Sequence, residues 1–343
     1  MADIEFIPEW LEWPEMQRVA RIFPQQHEQM CYFGGLVRDT MLKRMPRDID
    51  MLFTLPLPQI AAQLKQAGIE NTLTAHAVIA QIGNLEFNFH SLRSPRYEPY
   101  YDPGHAFVDN VIAALASSDF TINAMFCNLR GEIFDLYDGI SDLANGNIRF
   151  LGDPTKTAAQ DPLLILRFFR FYANFSMGLP NQEGFAACQR HAKLTANITP
   201  ADKYREMSSL LSVRRPYAAL KLMDEARVLA PVFGMDIRRY DALLALEQVE
   251  RAARWPASGE VKFALLLLSS GLSFQDARAR IASSWALPKG IVSWLATVER
   301  HLPSITLGHD KRQRETVMSI GMASYNDLVL LRWAMETAQG AAA

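Results

Sequence analysis

The stretch Gly34-Gly35-Leu36-Val37-Arg38-Asp39, followed after a short amphipathic run by Arg47-Asp48-Ile49-Asp50, decides how this chain is read. The apolar tripeptide Cys31, Tyr32 and Phe33 runs into the two glycines, as a strand does into a turn that opens a helix. Glycines at such a turn let backbone N–H groups approach a phosphate, and a helix start adds positive field. Asp48 and Asp50 are two residues apart, so on a strand both carboxylates face the same side. Paired carboxylates beside a phosphate cradle are what hard divalent cations need for in-line phosphoryl transfer.

Working outward, residues 9–23 predict a helix ended near Pro24, and residues 36–45 a second helix stopped by Pro46. Strands are expected at 48–53, 78–82 and 85–92, the last two turning at Gly83-Asn84, with a helix at 59–67 closed by Gly68. Residues 94–108, rich in Pro, Tyr, Asp and Gly, read as a mobile loop beside the site. A second hairpin is expected over 122–128 and 132–136. This order gives a small mixed sheet with helices on one face. From Asp161 onward the pattern is helix after helix: 185–192, 203–211, 217–229, 240–253, 261–268, 274–285, 290–302, 311–320 and 325–338.

At 343 residues and 49% hydrophobic content the chain can hold two or three packed domains. Three scattered cysteines exclude a disulfide framework or a zinc cluster and suit a reducing cytoplasm. No signal peptide is expected from an N-terminus bearing acidic residues, Trp10, Trp13 and Pro14. The longest apolar run noted, Phe263 to Leu268, is far short of a membrane span, so a soluble protein is expected. The net charge of −2 hides an asymmetry: residues 1–150 carry 11 Lys/Arg against 19 Asp/Glu, and residues 151–343 carry 24 against 18. An acidic metal-binding first half joined to a basic second half suits an enzyme acting on RNA.

Three further stretches extend the opening one: Asp119-Phe120-Thr121-Ile122-Asn123-Ala124, Asp138-Gly139-Ile140-Ser141-Asp142-Leu143, and Gln160-Asp161-Pro162-Leu163-Leu164-Ile165-Leu166-Arg167. In order and spacing over roughly residues 30–230, the chain resembles the tRNA nucleotidyltransferase/poly(A) polymerase family, in its bacterial class II CCA-adding form. The resemblance implies an α+β fold: a nucleotidyltransferase head, a small mixed β-sheet with helices, followed by all-α neck, body and tail. The divisions expected are an N-terminal helical segment (1–28), the head (29–153), neck and body (154–230) and tail (231–343). It implies that Asp48 and Asp50 are catalytic and hold Mg²⁺ or Mn²⁺. Gly34, Gly35, Arg38, Asp119, Asn123, Asp161 and Arg167 would bind nucleotide. Arg170, Lys203, Arg205, Arg214 and Arg215 would form a phosphate track for RNA. The implied partners are CTP or ATP and tRNA or a tRNA-like RNA, with no membrane and no DNA. Phe168, Phe169, Phe171 and Tyr172 are assigned to core packing on burial habit.

The chain departs from the family pattern where recognition occurs. Ser117 and Ser118 stand where the family has two arginines, Gln160 stands for a glutamate, and Leu164 for an arginine three residues after Asp161. Leucine cannot donate to a base edge, a loss of about 1–3 kcal/mol of discrimination by analogy with a bidentate base contact. Asn88 falls at the family's third carboxylate, while Glu86 shares its face but lies about 6.6 Å earlier along the strand. His90 also shares that face, but imidazole is a poor Mg²⁺ ligand. Two readings stay open: an RNA 3′-end nucleotidyltransferase of altered base choice, or an inactive relative that binds tRNA-like RNA or nucleotide.

Overall fold

The computed structural model describes residues 8–46, 48–176, 178–307 and 312–340, so Arg47 of the opening stretch and Lys311 lie outside the described residues. The chain divides after Asp153 into two compact units. The first carries the sheet: β1 (Met30–Phe33), β2 (Asp48–Phe53), β3 (Asn71–Leu73), β4 (Val78–Ile82), β5 (Leu85–Ser91), β6 (Met125–Cys127) and β7 (Ile133–Asp135). The strand order is β3-β4-β5-β2-β1-β6-β7. Every pairing is antiparallel except β2 with β5, which run parallel.

Alternation along each strand sorts residues between two cores. On one face Met30, Tyr32, Ile49, Met51, Phe53, Phe87 and Phe89 pack against α1 (Pro14–Ile22), α2 (Gly35–Met41) and α3 (Leu57–Gln66). Phe23 and Phe53 meet edge to face at 5.0 Å, and each fully buried aromatic contributes about 1.5–3 kcal/mol. The segment before β1 belongs to the same core. Trp10 Nε1 donates to Thr40 Oγ1 on α2 at 2.7 Å, in a buried contact.

The opposite face is covered too, which corrects the expectation of helices on one face. Cys31, Leu52 and Phe126 pack against Leu92, Tyr97 and a further helix, α4 (Phe107–Leu115). The segment read as a mobile loop is anchored: Ser94 and Tyr97 are buried, and the Asn110 side chain bonds the Asp102 N–H at 2.7 Å and its carbonyl at 2.9 Å. Composition hid both the anchor and α4, because tyrosines among prolines signal a turn unless a tertiary partner buries them. Two other boundaries moved. The expected helix 9–23 breaks at Trp13, whose extended backbone precedes Pro14. The helix expected to reach residue 45 ends at Met41, with Lys43 at φ 54°.

After β7, α5 (Gly139–Ala144) is started by the Asp135 carboxylate, which accepts the N–H groups of Gly139 at 2.9 Å and Ile140 at 2.8 Å. Asp142 on α5 accepts the Thr121 hydroxyl at 2.6 Å and Arg149 Nε at 2.9 Å, which fixes the Asp119–Asn123 stretch. Beyond α5, Phe150 pairs with Phe120 in a single antiparallel bridge.

The second unit is helical: α6 (Pro154–Gln160), α7 (Leu163–Phe175), α8 (Gln182–His191), α9 (Pro200–Leu211), α10 (Tyr217–Glu225), α11 (Leu229–Phe233), α12 (Ala242–Ala253) and α13 (Gly259–Leu268), with further helices reaching Gly340. Phe168, Phe169 and Phe171 are buried, as expected of core residues. The single helix expected over 217–229 is two, because Arg227 adopts φ 58° between them. No helix among the described residues is long and apolar enough to cross a membrane.

A side chain at Gly139 would land on the Thr121 carbonyl oxygen. Gly139→Ala is therefore expected to destabilise the first unit by about 1–3 kcal/mol, read as a lowered urea midpoint. An unchanged midpoint would show that α5 does not buttress the 119–123 stretch.

Candidate active site

Strand β2 presents Asp48 and Asp50 on the face opposite Ile49 and Met51. Beside it, β1 ends in Gly34, whose φ of 67° and ψ of −125° suit only glycine and whose N–H donates to the Met125 carbonyl at 3.1 Å. That turn starts α2, leaving its first N–H groups without helical partners. Arg38, one turn further on, is largely buried and binds in two directions. Its Nε donates to Asp39 Oδ1 at 2.9 Å, and its Nη1 donates to Asn123 Oδ1 at 2.7 Å. Asn123 Nδ2 in turn donates to Asp119 Oδ1 at 2.9 Å, an oxygen that also accepts the Phe120 N–H at 2.9 Å. Gly34, Arg38, Asn123 and Asp119, distant in sequence, thus form one connected set beside the carboxylate pair.

Partial desolvation, and then the charge of Asp50, push the Asp48 carboxyl above the usual carboxylate range. A backbone hydrogen bond and Arg38 act the other way. Asp50 has a neighbour of its own: His90 Nε2 lies 3.3 Å from its Oδ1, with the ring edge-on to Phe33 and Tyr97. A carboxyl pushed up by a like-charged neighbour is what a divalent cation relieves. Mg²⁺ is commonly held by one or two carboxylates, with substrate phosphates and water completing its shell. Asp48 and Asp50 fit that donor set. Among the described residues no group of three or more His, Cys, Asp or Glu is placed to hold a metal.

The parallel register sets Glu86 opposite Asp48 and Asn88 opposite Asp50, with neither slip nor bulge. Glu86, Asn88 and His90 lie on the carboxylate face, as the alternation implied. Glu86 is exposed, and it completes no three-ligand cluster. Ser117 and Ser118 close α4: the Ser117 hydroxyl donates to the Ala114 carbonyl at 2.6 Å. Asp39 went unnoticed in the sequence, where the Arg38-Asp39 pair was its only signal.

The remaining sequence-derived residues belong to the second unit. Asp161 is not on a helical face with Leu164, as the spacing of three had implied. It sits in the break between α6 and α7, where Pro162 excludes it from the helix, and its Oδ1 accepts the Leu163 N–H at 3.0 Å. Leu164 is buried. Arg170 Nε donates to Glu206 Oε2 at 2.6 Å, while Arg167 and Arg205 stand 3.5 Å and 3.7 Å from Glu206 Oε1. Glu206, 4% exposed, is a buried anion with three cationic neighbours that sequence reasoning missed. Nothing in local sequence separates it from a surface glutamate. Lys203 leaves the expected phosphate track. It is 6% exposed, and its Nζ donates to the Ala196 carbonyl at 2.7 Å, a structural role forced by its place on the inner face of α9. Arg214 and Arg215 are exposed.

Because folding raises the Asp48 pKa, the ionised side chain costs stability above the raised value and nothing below the ordinary value of about 3.9. Asp48→Asn in chelator should therefore unfold at higher denaturant than the parent at pH 7. That advantage should vanish as pH falls through the raised value, as measured by urea melts across pH; an advantage that grows toward acid would contradict the assigned environment. Glu206→Ala strands neighbouring guanidinium groups without their anion, and a loss of about 3 kcal/mol is expected by the same measurement at pH 7.

Residues 31–149 match the poly A polymerase head domain. The chain is 34% identical over 167 residues to a CCA-adding enzyme of Lactobacillus helveticus, covering 48% of this chain and 42% of that protein. It is 27% identical over 270 residues to the human mitochondrial CCA tRNA nucleotidyltransferase 1, covering 76% of this chain and 60% of that protein. The chain thus spans between two-fifths and three-fifths of the length of these relatives. In fold it is similar to a solved tRNA-processing enzyme, with a TM-score of 0.75 at 19% identity over 97% of this chain and 91% of that one. A Bacillus stearothermophilus CCA-adding enzyme in complex with CTP gives a TM-score of 0.70 at 24% identity, over 94% and 78% of the two chains. The glycine turn, the carboxylate pair and the Asp119–Asn123 stretch are thus assembled in one unit whose residues 31–149 match the poly A polymerase head domain, in a chain similar to CCA-adding enzymes.

Proposed function

We propose that this protein adds nucleotides to an RNA 3′ end, the CCA end of tRNA or a tRNA-like acceptor, using CTP and ATP. The RNA 3′-hydroxyl displaces pyrophosphate from the α-phosphorus of the nucleoside triphosphate. The observation that carries the reading is the placement of Asp48 and Asp50 on one strand face beside the Gly34 turn and the Arg38–Asn123–Asp119 chain. Asp48 and Asp50 would hold Mg²⁺ or Mn²⁺, which when bound supplies charge neutralisation for the triphosphate and lowers the pKa of the attacking hydroxyl. The chain's own part is positional. Past the Gly34 turn, whose own N–H is held by the Met125 carbonyl, the first N–H groups of α2 are offered to phosphate oxygens, and Arg38 adds a cation already oriented by Asp39 and Asn123. Asp119 stands behind Asn123 and fixes its amide.

Asp161, exposed in the break before α7, and Arg167, within that helix, are the base-facing candidates. Leu164 contributes no donor. Base choice is therefore relaxed, since one good bidentate base contact accounts for about 1–3 kcal/mol. Exposed Arg205, Arg214 and Arg215, with partly exposed Arg170, offer charge to the RNA backbone. A cytoplasmic, reducing location is supported by Cys31, Cys127 and Cys188, all buried and free.

The test is extension of tRNA lacking its 3′ end with each nucleoside triphosphate separately and Mg²⁺ or Mn²⁺. The expected result is addition that falls about 10²-fold or more in Asp48→Ala and Asp50→Ala. CTP and UTP should be incorporated within about tenfold of each other, the lower part of the range one lost base contact allows. Intact RNA binding with no extension under any condition would overturn the enzymatic reading.

A further inference from the structure

The second unit contains a cavity of about 500 Å³ bounded by the end of α9, the end of α12 and the start of α13. Arg214, Arg215, Arg251 and Arg254 line it, and all four are exposed. Among the described residues none of the four forms an ion pair. Four arginines around one concavity, of which Arg215 and Arg251 act on the Glu247 carboxyl, leave a net positive field that calls for an anion.

The two glutamates on the wall do not cancel that field. Glu250 is committed to the framework: its Oε1 accepts the Ala257 N–H at 2.7 Å and lies 3.9 Å from Lys262 Nζ. Lys262, 3% exposed, is itself spent on the Val213 carbonyl at 2.8 Å. Glu247 Oε1 is buried with no hydrogen-bond partner; burial pushes this carboxyl up, while Arg215, Arg251 and Lys262 act the other way. At the lip, Arg254 caps α12 in the left-handed region at φ 52°, and the turn it makes leaves Trp255 46% exposed. A large exposed indole beside unpaired guanidinium groups is the pairing that takes an aromatic base and its phosphate together.

We infer that this cavity binds a nucleoside phosphate, with the base against Trp255 and the phosphate among Arg214, Arg215, Arg251 and Arg254. It is a second nucleotide site, distinct from the one built on Asp48 and Asp50 in the first unit. The same chemistry is offered by a free mononucleotide and by an unstacked residue of single-stranded RNA.

The experiment titrates the full chain with AMP, with inorganic phosphate and with a short oligoadenylate by calorimetry, in EDTA so that no metal-dependent step contributes. AMP is expected to bind, and Asp48→Ala is expected to bind it equally well. Trp255→Ala should weaken AMP about tenfold while leaving inorganic phosphate unchanged, in line with the loss of one base-stacking contact. Arg254→Gly, which suits the left-handed backbone, should weaken both. Arg214→Glu provides a second charge variant, and circular dichroism melts check that each variant is folded. Oligoadenylate binding much tighter than AMP identifies single-stranded RNA as the source, and equal binding identifies the mononucleotide. The inference is overturned if AMP does not bind, if Asp48→Ala abolishes binding, or if folded Trp255→Ala and Arg254→Gly bind AMP as the parent does. No nucleotide addition is measured, so failure of the transfer reading leaves this result standing, and the reverse also holds.

Discussion

Two like charges on one strand face are the constraint around which the first unit is built. Asp48 and Asp50 repel, and burial of their surroundings sharpens the repulsion rather than screening it. The fold tolerates this because β2 is an interior strand, held by antiparallel β1 on one side and parallel β5 on the other. Its opposite face is locked into an aromatic core with Phe23, Phe87 and Phe89. Asp48 is exposed on the carboxylate face, while Ile49, Met51 and Phe53 are fully buried on the other. Stability supplied on one face thus maintains an unfavourable charge arrangement on the other, the usual relation between a scaffold and a functional site.

The cations near the site are positioned, not merely present. Arg38 is aimed by Asp39 and Asn123, and Asn123 is aimed by Asp119. A guanidinium fixed in this way loses little freedom when it meets a phosphate. His90 performs a comparable service for Asp50 from the neighbouring strand. The second unit sorts its basic residues by the same rule. Lys203 and Lys262 are buried and satisfy backbone carbonyls, and Arg167 and Arg170 stand against Glu206. Arg214, Arg215, Arg251 and Arg254, exposed and without ion pairs among the described residues, line one cavity.

The positions that depart from the family pattern hold ordinary structural roles here. Ser117 closes α4, Leu164 is buried on α7, and Asn88 lies beside Asp50 where a third carboxylate would have added to the repulsion. The first unit keeps its framework and two carboxylates, and the donors missing at these positions are the ground for proposing transfer with relaxed base choice.

Local sequence alone determined the parts governed by short-range rules. The alternation of Asp48 to Phe53 and of Leu85 to Ser91 set both strands and their faces, the double glycine set the turn into α2, and Pro24 and Gly68 marked helix ends. The carboxylate pair was legible because a period of two needs no partner to define a face. Tertiary structure decided everything that depends on a distant neighbour. It made the Pro- and Tyr-rich segment an anchored cover with α4, set Glu86 rather than Asn88 beside Asp48, and linked Arg38 to Asn123 across 85 residues. It also turned Lys203 inward and surrounded Glu206 with arginines. The physical reason is the same in each case: a charge or an aromatic ring has no fixed meaning along a chain until burial decides whether water or another side chain answers it.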